Sequence, residues 1–135
     1  MDGVAAVRVA LIADAAMIAL VPTARIFAGP APLGTPLPFV MLESISKTDR
    51  NIPAPGATRH VRERVQVSVV GLNYPQQKQL LRAVRHAAAD RINVAVTGLT
   101  NVTIHTDSAG PDFYDVDYAG WRGSQDFMTK YLETR

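Results

Sequence analysis

The side chains of this chain best suited to proton transfer or metal binding are three histidines, His60, His86 and His105, and the aspartates Asp112, Asp115 and Asp117. The histidines lie on separate stretches with no H-E-x-x-H spacing, so they read as surface or sheet-face residues rather than ligands. A calcium loop needs its own spacing of oxygen donors and a glycine at the sharp turn, and the Asp112 to Tyr118 stretch has neither. It reads as a solvated turn with Phe113, Tyr114 and Tyr118 partly packed, or as carboxylates that pair with arginines of an adjoining subunit. With no cysteine in the chain, disulfides, thiolate nucleophiles and Cys-based zinc sites drop out. Nucleotide and acyl chemistry lose their usual anchors as well, because no Gly-Lys-Ser/Thr phosphate loop, G-x-G-x-x-G turn or G-x-S-x-G elbow occurs. The chain therefore reads as non-enzymatic, with no catalytic, cofactor-binding or metal-binding residue and no cofactor.

Cations gather in two places: Arg59, His60, Arg62 and Arg64 in one stretch, and Lys78, Arg82 and Arg85 in another. Both could touch phosphates, yet neither interleaves the stacking aromatics of a nucleic-acid binder. The 14 basic residues exceed the 12 acidic ones by only two, which suits wet faces or ion pairs between subunits better than a polyanion site.

These groups must be carried by a fold, and 135 residues, 47% of them apolar, suffice for one domain spanning residues 1–135. Asp2 can cap a helix over residues 3–20, where Val4, Val7, Leu11, Ala15 and Ile18 recur at helical spacing before Pro22 stops it. Its apolar stripe is broad, which predicts cover on more than one side. Arg8 and Asp14 interrupt the segment, each costing about 2.5 to 3.5 kcal/mol near a bilayer centre, so no membrane span is expected. A short strand over residues 25–28 leads into the proline-rich residues 29–38, a loop, and then a strand over residues 39–46. Residues 47–59 read as a long projecting linker.

Alternation is clearest over residues 60–71, with Val61, Val65, Val67 and Val69 on one face and Arg62, Arg64, Gln66 and Ser68 on the other. A helix over residues 75–90 starts with Pro75 and buries Leu80, Leu81, Val84 and Ala88. Strands near residues 102–106 and 121–132 flank a polar, aromatic insert at 107–120, and residues 94–98 add a short extension to the first of them. This order predicts an α+β domain, a mostly antiparallel sheet with two helices packed on it.

The chain resembles the tail terminator, or tail completion, proteins of siphophage-like particles and gene transfer agents. The resemblance rests on the N-terminal apolar helix ending in Leu20-Val21, on Arg25-Ile26-Phe27, and on the run from Ala31 to Val40 that leads into a strand. Further on come Arg64-Val65-Gln66-Val67-Ser68-Val69-Val70-Gly71 before a helix with Leu80, Val84 and Ala88, and Gln125-Asp126-Phe127 in the closing strand. It implies a ring-forming subunit, six to a ring, that stops tail-tube polymerisation and offers the docking surface for the head-side connector. The implied partners are further copies of the chain, the major tail tube protein and the connector, with DNA passing through the lumen without specific binding. The implied location is the head-proximal end of the virion tail, assembled in the host cytoplasm. The 47–59 and 107–120 segments depart from the familiar pattern. A head completion protein or other connector, or a small nucleic-acid-binding domain, are the alternatives. For a ring subunit the candidate interface residues are the loop apolars Leu33, Leu37, Ile52 and Tyr74 with the cations Arg62, Arg64, Lys78 and Arg82.

Overall fold

The computed structural model describes residues 2–51 and 56–134, so Ile52 lies outside the described residues. Asp2 caps helix α1 (Gly3–Ile12), its carboxylate accepting the Ala5 N–H at 3.1 Å. The helix expected to continue to Leu20 instead breaks. Asp14 takes an extended conformation and caps a second helix, α2 (Ala15–Leu20), accepting the N–H groups of Ala16 at 2.9 Å and Met17 at 3.1 Å. Apolar periodicity runs through both pieces, but a mid-helix Asp that can bond nearby amides competes with the helix ladder.

Strand β1 (Ile26–Ala28) pairs parallel with β2 (Phe39–Arg50), and every other pairing is antiparallel. Then follow β3 (Thr58–Gly71), α3 (Tyr74–Ala88), β4 (Arg91–Ile92), β5 (Leu99–Ala109), β6 (Phe113–Asp115) and β7 (Gly120–Thr134). The sheet order is β1-β2-β3-β7-β5-β4, with β6 beside β7. Three boundaries differ from expectation. Both ends of the 47–59 linker are ladder, since Lys47 pairs Glu63, the register continues to Arg50 opposite His60, and β3 already begins at Thr58. The strand extension expected at 94–98 is absent; β4 pairs with Ile104 and Thr103 instead, and Val94 N–H reaches the Val102 carbonyl at 3.2 Å. The 107–120 insert holds the end of β5 and all of β6.

The helices lie on one sheet face. Val7, Leu11, Met17, Leu80 and Val84 bury themselves against Val61, Val65, Val67, Val69, Ile104, Phe127 and Tyr131. On the other face a smaller cluster of Ala31, Phe39, Met41 and Val70 is sealed by Phe27, Leu37 and Tyr118, so the proline loop folds back on the sheet. No helix among the described residues is long and apolar enough to cross a membrane.

Strand parity also places Glu63 on the valine face, where it is fully buried. Its Oε1 accepts the Gly3 N–H at 2.9 Å and the Tyr131 hydroxyl at 2.7 Å, with the Lys47 ammonium 3.8 Å away. A carboxylate at a helix N-terminus meets an unpaired amide and the positive end of the helix dipole, so Glu63 anchors α1 to the sheet. Gly3 is needed there because a Cβ would sit 2.3 Å from Thr129 Oγ1. Burial and the hydrogen bond to Glu63 push the Tyr131 pKa up, keeping that hydroxyl a donor.

Val67→Asp tests the facing. An unpaired carboxylate at this fully buried position should cost about 3 to 5 kcal/mol, a large part of a domain's total stability. Urea titration should find the variant mostly unfolded; a variant as stable as the parent would show the strand faces to be reversed.

Candidate functional site: an aromatic end of the sheet

The N-terminus of α3 packs unusually close to the sheet. Gln77 is fully buried, and a Cβ on Gly123 would come within 2.1 Å of its Nε2. That nitrogen donates to Asp112 Oδ1 at 2.8 Å, while the Tyr74 hydroxyl and the Lys78 ammonium donate to Oδ2 at 2.9 and 2.6 Å. Lys78 lies 5.2 Å from the Tyr74 ring centroid, a cation–π distance. Lys78, then Gln77, hold the Asp112 carboxyl below the usual carboxylate range, to about 2. One carboxylate thus fixes three side chains of one helix turn.

On this support stands an exposed aromatic group. Tyr74 and Tyr114 each meet Trp121 edge-to-face with centroids 5.7 Å apart. Tyr74 is 43% exposed and Tyr114 is 50% exposed, and neighbouring Leu72 and Val116 are 63% and 81% exposed. Phe113, on the opposite face of the same end, has the Arg122 guanidinium 5.8 Å from its ring centre. Tyr and Trp are enriched at protein–protein contacts, so this half-exposed aromatic group is a candidate interaction site.

The structure sorts the sequence-derived candidates. Leu33 stands at the tip of the proline loop, 75% exposed, whereas Leu37 packs against the chain's own second cluster. Tyr74 belongs to α3 rather than to a loop, and with Lys78 it is engaged by Asp112. Arg82 is exposed on the wet side of α3. Arg62 and Arg64 share the face opposite the valines but differ in role. Arg64 donates through both Nε and Nη2 to Asp126, which is buried, and also bonds Ser108 at 2.8 Å and faces Asp107 at 3.4 Å. Arg62 is exposed and pairs across the strand with Lys130, a like charge.

The aspartates of the insert serve their own chain. Asp115 accepts the N–H groups of Asp117 and Tyr118 at 3.0 and 3.3 Å and pairs with Arg122 at 3.0 Å. His105 lies 3.0 Å from Asp90, and no group of three or more His, Asp or Glu among the described residues could hold a metal ion. What sequence reasoning missed is the aromatic end itself. Tyr114 and Trp121 are seven positions apart, and only the β6–β7 hairpin brings them into register.

Two outcomes follow from these contacts. Arg64→Glu should lower the melting temperature clearly, because it sets a third carboxylate beside Asp107 and buried Asp126, whereas Arg62→Glu should melt with the parent; equal melting would remove the Arg64 network from the fold. Because the folded-state pKa of Asp112 is depressed, its stabilisation is full above the ordinary carboxylate value and is lost as pH falls through about 2. A carbon-detected NMR titration should place the Asp112 midpoint there, and Lys78→Ala should raise it; an unmoved midpoint would mean the ammonium is not the cause.

A family model described as "Tail completion protein gp17" matches residues 5–132. No curated protein sequence matches the chain. Among solved structures, a chain described as "Virion of native gene transfer agent (GTA) particle" is similar in fold, with a TM-score of 0.73 at 20% identity over 95% of this chain and 92% of that one. With the fold and nearly the whole length matched, the chain belongs to the tail completion protein gp17 family, structural proteins of the phage tail.

Proposed function

We propose that the chain is a non-enzymatic virion subunit forming a ring, of six copies, that ends growth of the tail tube and carries the surface on which the head-side connector docks. In this reading the ring lies at the head-proximal end of the tail, assembles in the host cytoplasm and meets the major tail tube protein on its other side. DNA passes through its lumen without specific binding. The single observation that carries the reading is the aromatic end: Asp112 holds Tyr74, and Tyr74 and Tyr114 pack edge-to-face on Trp121, yet both tyrosines remain about half exposed. A phage tail protein that presents such a surface needs a partner to cover it, and in a terminator that partner is a neighbouring virion protein. Leu33 at the loop tip and the exposed cations Arg62 and Arg82 are further candidate contacts, with Lys78 at the edge of the aromatic patch.

The test uses substitutions that spare the fold. Tyr114→Ser combined with Leu72→Ser removes exposed apolar groups, and the far-ultraviolet spectrum and melting temperature should stay near those of the parent. Losing such anchors typically costs an interface more than about 2 kcal/mol, roughly 30-fold in affinity, so electron micrographs should show mostly unjoined heads and tails. Fully joined particles of normal yield would remove this end from the docking surface.

A further inference from the structure

The two long outer strands of the sheet are each left half uncovered. β1 pairs only with Val40, Met41 and Leu42, so the outer backbone edge of β2 is open over residues 43–50. At the opposite side β4 pairs only with Thr103 and Ile104, leaving the outer edge of β5 open over residues 105–109. Among the described residues no backbone group bonds either stretch from outside. An open edge is a row of unpaired N–H and C=O groups, a template for another strand.

The two open stretches overlap in height. One row of paired residues runs Ser46, Arg64, Met128, His105 across β2, β3, β7 and β5 and the next runs Ser44, Val65, Phe127, Thr106, so residues 43–46 of β2 lie level with residues 105–108 of β5, both open outward. Each of the three pairings in that row is antiparallel, so β5 runs opposite to β2. A second copy that continues the sheet by rotation therefore brings its β2 against β5 of the first copy in antiparallel order, without turning over. Both copies use different patches, which is the heterologous contact a closed ring requires.

We propose that neighbouring copies of this chain join edge to edge, residues 43–46 of one pairing antiparallel with residues 105–108 of the next, so that the sheets form one continuous belt. This rests on the ring reading above and adds which surfaces meet. β-Bulges interrupt both edges, between Ser44 and Ser46 and between Thr106 and Ala109. Such bulges bend and twist a strand, the deformation that a closing belt needs.

The chain has no cysteine, so paired cysteines report contacts cleanly. Ser46→Cys and His105→Cys, both exposed positions, would be combined in one chain and the assembled particles treated with a short thiol crosslinker. The expected result is a ladder of this subunit rising to six on a denaturing gel, absent from either single variant. Averaged electron micrographs of parent particles report any ring, whichever surfaces meet. Sixfold density at this level without a ladder from the cysteine pair would overturn edge pairing and leave the ring standing. Neither ring density nor ladder would overturn both, and dimers from Ser46→Cys alone would overturn the head-to-tail order. Should the double variant fail to enter particles, hydrogen exchange on the parent decides: the outward-pointing amides within 43–46 and 105–108 should exchange at least tenfold slower in particles than in the free subunit, and equal rates would overturn the proposal.

Discussion

The pleat of β3 is the constraint on which the rest of the structure depends. This strand sits between β2 and β7 and is paired along its whole length, so its side chains have only two directions available. Once Val61, Val65, Val67 and Val69 turn toward the helices, Arg62, Arg64 and Gln66 must turn away, and a slip of one residue would exchange the two sets. Glu63 falls among the valines by the same rule. Its burial is tolerable because the Gly3 amide, the Tyr131 hydroxyl and the Lys47 ammonium gather round it, and the outcome is a fixed starting point for α1.

A second chain of contacts runs from the core to the surface. Gly123 lets α3 approach β7, buried Gln77 fills the approach, and Asp112 takes its amide along with Tyr74 and Lys78. The aromatic end is therefore not a mobile loop that happens to carry apolar groups. Tyr74 is placed by a hydrogen bond that traces back to helix–sheet packing, and Tyr114 and Trp121 by the β6–β7 pairing; such preorganisation lowers the ordering cost of association. Arg64 shows the opposite fate: it lies on the open face, yet Asp126 and Ser108 consume it internally, and Arg62 two residues earlier is the cation left for the outside.

Much of this was legible in the amino-acid order. The α+β class, the faces of β3 and the buried side of α3 follow from periods of two and of about 3.6, and the family resemblance stands. Apolar spacing continues across Asp14 and hides the break there, although Asp is itself a capping residue. The 47–59 segment reads as a linker because Asn51, Pro53, Pro55 and Gly56 are turn formers, while the strand that extends into it is polar and exposed and carries no alternation. Glu63 could have been found by counting parity through the valines. The aromatic end could not, since Tyr74, Asp112, Tyr114 and Trp121 are joined by long-range pairing that no local pattern encodes.

The proposed role is to stop the tail tube and join it to the head. Electron microscopy of particles from a producer strain lacking this gene tests that most directly, scored for tail length and for head attachment. The account predicts overlong or unattached tails beside filled heads without tails; tailed particles of normal length and normal yield would contradict it.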